Sequence, residues 1–428
     1  MTTATPAPSM SASLRIRLSL MMFLQYSIWG AWLPFLFSFL KDHRGMDPAS
    51  EIGLMFSAGA VGAVLGPFIA GQIADRYFNT EKYLALSHLL GAALIWQLAT
   101  IDSFGAFLAF SVVYGCLYAP TMSLTNALAF HHLPDRDRDF GPVRLWGTIG
   151  WIAAGLAMGH WLLFKHTPEG TDEVVLAAQA AGKADAFRLS ALLGLAMAVL
   201  CVFLPKTPPA KNSESSAIGA AFAAVKTQPL LTLFLLSIPV SCIHQLFFVH
   251  ADGFLGAKQL AAPDWMKSVF GAGGGGLMTI GQMSEVIVLA LMPLVIRSLS
   301  RKTVLAIGLV AYAARMALFA YVDSIPADPF LVLVTALALH GIIFGCFIFL
   351  AFIILDEETG ADIRASVQNL YNLVIVGIGV MIGSPISGWL YETVDGDYSR
   401  LFSVTMWASL ACLIPLLLFY PNKRRNAA

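Results

Sequence analysis

Hydrophobic residues in this chain fall into long unbroken runs, not into the short-period stripes of helices that lie on a soluble core. About twenty apolar residues are needed to cross the hydrocarbon of a bilayer as a helix. On that measure the sequence predicts twelve spans, at 16–40, 50–74, 82–101, 104–130, 143–165, 186–204, 229–251, 271–297, 303–322, 328–355, 362–390 and 399–420. The longest polar breaks are 205–228, with Pro205, Pro208 and Pro209 beside a Ser/Asn/Lys run, and 166–185. The first of these separates the spans six from six. The expected organisation is a tail over 1–15, a six-helix bundle over 16–204, a linker over 205–228, a second six-helix bundle over 229–420 and a tail over 421–428. Met1 to Ala12 is rich in Ser, Thr, Ala and Pro without the pattern of a cleavable signal, so the first apolar run is expected to stay as a helix.

Composition agrees with an all-α polytopic membrane protein: 57% of the 428 residues are hydrophobic and 12% are charged. Formal net charge is zero, which excludes the basic surplus of a nucleic-acid binder. Cys116, Cys201, Cys242, Cys346 and Cys412 all fall inside apolar runs and read as small buried hydrophobes rather than disulfide partners or metal ligands. Lys and Arg set the orientation. With both termini and the linker on one side, that side carries sixteen of them and the other eight, so termini and linker are expected in the cytoplasm.

Against this background an intramembrane carboxylate needs a reason. Glu285, in Gln282-Met283-Ser284-Glu285, sits inside the run from Leu277 to Val295. Insertion scales place an acidic residue at a helix centre about 2.5–3.5 kcal/mol uphill, so the group is expected to face protein or water and to carry function. Gln282 is three residues away and shares its helix face. Burial disfavours the charged form of a carboxyl group, which suits a proton carrier.

Between the second and third spans stands Gly71-Gln72-Ile73-Ala74-Asp75-Arg76. It resembles the signature loop of the major facilitator superfamily, in which a carboxylate and a guanidinium at a helix end latch neighbouring helices in one state. Gly71, Asp75 and Arg76 are its candidate gating residues. Arg297-Ser298-Leu299-Ser300-Arg301-Lys302 looks like a degraded copy in the equivalent loop of the second half. Two six-helix halves around a linker are also the arrangement of that superfamily.

Further segments are similar to the nucleoside:proton symporter family. They are Phe23-Leu24-Gln25-Tyr26-Ser27-Ile28-Trp29-Gly30-Ala31-Trp32-Leu33 in span one and Asp139-Phe140-Gly141-Pro142-Val143-Arg144-Leu145-Trp146-Gly147-Thr148-Ile149-Gly150 at span five. Gln282-Met283-Ser284-Glu285, Arg315-Met316-Ala317-Leu318-Phe319-Ala320 and Ile363-Arg364-Ala365-Ser366 continue the likeness through spans eight, nine and eleven. The resemblance implies a solute site between the halves. It implies Arg144 and Thr148 as polar contacts from the first half, and Gln245, Gln282 and Glu285 as those from the second. Trp151 falls where the family has an aromatic residue that can stack on a ring. Amides pair with the edges of a base and a carboxylate accepts from ribose hydroxyls. Two positions depart from the family pattern: Phe248 stands where it has Asn, and Gly345, after Phe344, where it has an acidic residue.

The implied activity is import of nucleosides with protons by alternating access. The two departures leave open another hydroxylated solute such as a sugar derivative. Glu285, His244 and His340 are the candidate proton-coupling groups, since a histidine on a pathway helix titrates near neutral pH. Arg315 reads as a structural interhelical pair. Gln25, Asn126, Gln368, Asn369 and Asn372 read either as polar glue or as pathway lining. Asp252 and Asp323 lie near outer helix ends and are expected to be solvated. Gly271-Ala272-Gly273-Gly274-Gly275-Gly276 lacks the Gly-Lys-Ser/Thr of a phosphate loop and is expected to be a flexible lead into span eight. Gly377, Gly379 and Gly383 suit close helix packing. No loop is long enough for a signalling domain, which disfavours a membrane sensor. No nucleophile–base pair or metal cluster is recognisable, so neither an enzyme nor a cofactor is expected. The chain is expected to work as a monomer among lipids of a bacterial inner membrane.

Overall fold

The computed structural model describes residues 10–62, 64–65, 79–208, 216–360 and 363–421, which are helical with no strand among them. The principal helices are α1 (Ala12–His43), α2 (residues 53–62), α3 (Thr80–Leu98), α4 (Phe104–His132), α5 (Arg136–Lys165), α6 (Asp172–Val202), α7 (Leu230–Gln259), α8 (Gly274–Ser298), α9 (Arg301–Ala320), α10 (Pro329–Glu358), α11 (Ser366–Thr393) and α12 (Tyr398–Phe419). Among the described residues ten helices, all of these but α2 and α3, are long and apolar enough to cross a membrane. Glu81, Lys82, His88 and Gln97 dilute the 19-residue α3, and α2 is described in part.

Capping side chains explain several boundaries that hydropathy placed elsewhere. Asp135 accepts from the Arg138 amide at 3.1 Å, so α5 starts at Arg136 instead of 143 and takes Pro142 into its first turns. The break expected over 166–185 is helical from Asp172, because Asp172 and Glu173 occupy the favourable first turn of a largely apolar helix. Its charges gather on Asp185, which meets Trp161 at 2.8 Å, His166 at 2.9 Å and Arg188 at 2.5 Å. On the face where α9 starts, Arg301 pairs with Glu357 at 2.5 Å, and Lys302 donates to the Leu417 and Tyr420 carbonyls. The expected gating loop, Gly71, Asp75 and Arg76, lies outside the described residues.

Helix packing repeats between the two parts of the chain. In the first, α1 packs on α5 and α3 on α6; in the second, α7 packs on α11 and α9 on α12. Each partner is displaced by six helices, the mark of an internal repeat. The parts meet along two seams that obey the same displacement, α5 against α8, and the residues leading into α2 against α11.

The seams close at one end of the bundle. The face carrying the start of α1 and the end of α12 is the terminal face, and the other is the opposite face. The first-half core of Leu18, Phe35, Phe39, Phe107 and Phe187 continues into Leu246, Val249, Ala272, Tyr391 and Leu401 of the second half, toward the opposite face. At that face the Ala272 amide donates to the Gly159 carbonyl at 2.8 Å, and His160 contacts the Ser268 carbonyl at 3.0 Å. The glycine run is therefore a tight junction and not a slack lead. A Cβ on Gly276 would lie 1.8 Å from the Phe270 carbonyl oxygen, and one on Gly275 2.2 Å from the Phe35 ring. Gly271 and Gly273 also hold φ of +75° and +77°, where other residues are strained.

Candidate functional site

The α5–α8 seam brings the expected residues together from both halves. Arg144, half-buried on α5, lies over the Tyr26 ring of α1, 3.9 Å from its centroid. Gly147 makes the room: a Cβ there would lie 2.6 Å from Tyr26 Cδ2 and 2.7 Å from Arg144 Nη1. Across the seam, α8 sets Glu285 on the helix packed against that of Arg144. Thr148 is half-buried one turn on from Arg144. Trp151, two turns on, packs on the Cα position of Gly30, where a Cβ would come within 3.0 Å.

Glu285 faces inward from α8 with 14% of its side chain exposed. His340 Nε2 of α10 lies 3.7 Å from Glu285 Oε2, at ion-pair range. On its other side, His340 Nδ1 is 3.3 Å from Nη1 of Arg315 on α9. Arg315 is 2% exposed and stacks over Phe247 at 3.4 Å. His244 of α7 lies with its ring 5.7 Å from that of His340, and its Nδ1 meets the Tyr312 hydroxyl at 3.0 Å. Arg315 is thus an interhelical partner, as expected, but of a residue that touches Glu285. The helices approach closely here, since a Cβ on Gly341 would come within 2.5 Å of Ser284 backbone atoms. Ser284 Oγ also accepts from the Gly341 amide at 3.0 Å.

The two amides differ. Gln245 is buried and donates to Ser384 Oγ at 3.0 Å, which ties it to α11. Gln282 Oε1 is buried and, among the described residues, has no hydrogen-bond partner. Phe248 reaches across the halves to Trp151, ring centroids 6.3 Å apart and tilted by 57°. Gly345 turns toward α8, where a Cβ would lie 2.8 Å from Val288 Cγ1 and 3.2 Å from Met292 Sδ. An acidic side chain at this position would have no room in this packing.

Nearer the opposite face lies a cluster that the sequence reading did not find. Asp252, expected to be solvated, is 0% exposed. It pairs with Lys183 of α6 at 2.6 Å, accepts from the Ser38 hydroxyl of α1, and accepts from the Gly275 amide of α8 at 3.0 Å. Lys183, which also donates to Ser38 at 2.6 Å, falls in the polar break 166–185, outside the expected spans. A buried charge survives when paired and hydrogen-bonded, and each half supplies one partner here. Asp323 is solvated as expected: its side chain is 70% exposed and it pairs with Lys258 at 2.5 Å.

Gln25 is tied into the packing of the first half, while Asn369 and Asn372 are exposed. Gln25 donates to Thr121 at 2.7 Å and meets His88 at 3.1 Å inside the first half. Gly379 and Gly383 admit Ser241 and Cys242 of α7, and Gly377 admits Val64. Tyr26 and Tyr312 were overlooked as site neighbours. Tyr26 stands inside the first similarity segment beside Gln25 and could have been found there; nothing in the sequence marks Tyr312. Among the described residues, no group of three His, Cys, Asp or Glu side chains could hold a metal ion.

The sequence model described as "Nucleoside H+ symporter" matches residues 10–425. YegT of Escherichia coli (strain K12) is 30% identical over 410 residues, covering 94% of this chain and 91% of YegT. The xanthosine permease of the same organism is 26% identical over 424 residues, covering 96% of each chain. Its nucleoside permease NupG is 27% identical over 396 residues, covering 89% and 88% of the two chains. A crystal structure of the nucleoside transporter NupG superposes with a TM-score of 0.80 at 25% identity, covering 96% of this chain and all of that one.

Proposed function

This chain belongs to the nucleoside:proton symporter family, and from that premise we propose that it is a secondary active transporter that moves nucleosides together with protons by alternating access. It is a membrane transporter and not an enzyme. The observation that carries the site assignment is the packing of α5, the helix of Arg144, Thr148 and Trp151, on α8, the helix of Gln282 and Glu285, with Trp151 facing Phe248 across the halves at 6.3 Å between ring centroids.

In this reading α1 to α12 are twelve spans of a major facilitator fold, and both termini and the linker are cytoplasmic. The opposite face is then the outer one, and the closed state is open toward the cytoplasm. Arg144, Thr148, Trp151, Gln245, Gln282 and Glu285 contact the solute. Trp151 and Phe248 offer ring faces to a base, Gln282 Oε1 accepts from a base amine, and Glu285 accepts from ribose hydroxyls. Glu285 carries the coupled proton; His340, at 3.7 Å, and His244, beside His340, are the other candidate coupling groups. Gly71, Asp75 and Arg76 form the cytoplasmic latch. The protein acts as a monomer in a bacterial inner membrane.

The test is uptake of labelled uridine and adenosine into proteoliposomes with and without an imposed pH gradient. Gradient-driven accumulation is expected for the parent and its loss for Glu285→Gln. Uptake indifferent to the gradient removes symport, and a Glu285→Gln protein that still concentrates solute removes Glu285 from coupling. The Phe248 contact and the filled space at Gly345 favour one alternative, a sugar derivative as solute. A thermal-shift screen of nucleosides against sugars separates the two.

A further inference from the structure

Arg315 poses a problem that packing does not solve. Its guanidinium is buried at mid-helix, its Nε has no partner, and among the described residues no carboxylate pairs with it. The polar side chain it meets is His340, at 3.3 Å from Nη1 to Nδ1. A guanidinium donates and never accepts. The imidazole nitrogen facing it must therefore be the lone-pair nitrogen, which places the ring proton on Nε2. A doubly protonated ring would set N–H against N–H. Nε2 is the atom that faces Glu285, at 3.7 Å. Gly281 lets the ring sit there, since a Cβ on it would come within 3.1 Å of the His340 Cβ.

We propose that Arg315 and His340 are positioning residues for the proton-linked carboxylate: Arg315 fixes His340 in the Nε2–H tautomer, and His340 presents that N–H to Glu285. This rests on the reading of Glu285 as the coupling group. It separates the candidate histidines from the role of proton carrier, because His340 cannot take a second proton without losing Arg315.

The arrangement distinguishes two supports for the Glu285 carboxylate. Arg144, with Tyr26 beside it, belongs to the other half and parts from Glu285 whenever the halves rock. His340 and Arg315 belong to the same half as Glu285 and travel with it. His244 of α7 is the other titratable side chain against His340, and it contacts Tyr312 of α9 in turn. The relay thus keeps the carboxylate form of Glu285 accessible in both states, when Arg144 is near and when it is not.

The experiment measures the pH dependence of uridine uptake, and its response to an imposed gradient, in proteoliposomes of His340→Gln, His340→Leu, Arg315→Met, the Arg315→Met/His340→Leu double variant and Glu285→Gln. Glutamine can present an N–H toward Glu285 but does not titrate in this range. His340→Gln is expected to respond to the gradient at a reduced rate. His340→Leu and Arg315→Met are expected to move the pH dependence about one unit to higher pH, because a carboxylate without the N–H holds its proton longer. The double variant should match His340→Leu alone, since Arg315 acts through His340. Loss of the gradient response in His340→Gln would make His340 a proton carrier and overturn the proposal, as would unshifted pH dependence in His340→Leu. If Arg315→Met fails to fold, as its melting curve would show, the two His340 variants decide the question. A gradient response that survives Glu285→Gln would instead refute the coupling role on which the proposal rests.

Discussion

Replacing Lys183 by Met should open the opposite face of the bundle. The substitution leaves the Asp252 carboxylate 0% exposed, with the Ser38 hydroxyl and the Gly275 amide as its remaining partners. Removing one partner of a buried ion pair typically costs about 3–5 kcal/mol, because the other charge stays desolvated. That cost falls on the closed state, in which the halves trap the pair; once they part, water reaches Asp252. The closed-to-open ratio should then fall by roughly two to three and a half powers of ten. Leu162 reports the change, being 0% exposed and packed against Gly273 behind the pair. In a background lacking the five free cysteines, a Leu162→Cys protein should resist a membrane-impermeant thiol reagent applied from outside, and adding Lys183→Met should let it react. Asp252→Asn should act in the same direction by stranding Lys183. Lys183→Met with Asp252→Leu removes both charges and should label more slowly than either single variant. Labelling that rises less than tenfold in Lys183→Met, or a double variant equal to the sum of the singles, would refute the reasoning.

Two further outcomes concern the solute site. Trp151→Ala should raise the apparent KM for nucleosides about fivefold or more, since a base stacked on an aromatic ring is worth roughly 1–3 kcal/mol; equal KM values in a competition uptake assay would exclude stacking. Gly147→Ala forces a Cβ to within 2.6 Å of the Tyr26 ring. It should displace Arg144 and lower uptake at least tenfold while detergent-solubilised protein keeps a single melting transition.

The sequence disclosed what depends on apolar length and on the cost of stray polarity. Runs of about twenty hydrophobic residues located the helices, and Glu285 stood out because nothing near it in the chain explains a carboxylate. Asp252 and Lys183 stayed hidden for the opposite reason. Each sits near a predicted helix end, where a charge needs no explanation, and 69 positions separate them. Hydropathy also averages over faces. It therefore lost the start of α6, whose apolar side is diluted by Gln179, Lys183 and Asp185. Arg315 was visible as an interhelical group, but the identity of its partner depends on the close passage of α8 and α10 at Gly281 and Gly341. Only the packed structure sets that spacing.

The seam between the approach to α2 and α11 has a different character from the charged cluster near Lys183. Gly53 lies against Pro385, Gly388 against the Pro48 carbonyl, and Ser57 Oγ meets the Met381 carbonyl at 3.2 Å. Backbone set against backbone has no long side chains to re-seat, so the two surfaces can roll on each other at little cost. They cannot slide, because each approach is a notch that admits nothing larger than hydrogen. The motion left to the molecule is rotation about this line, a hinge and not a shear, and bulk added at Gly53 or Gly388 would alter how far the protein opens before it altered what it carries.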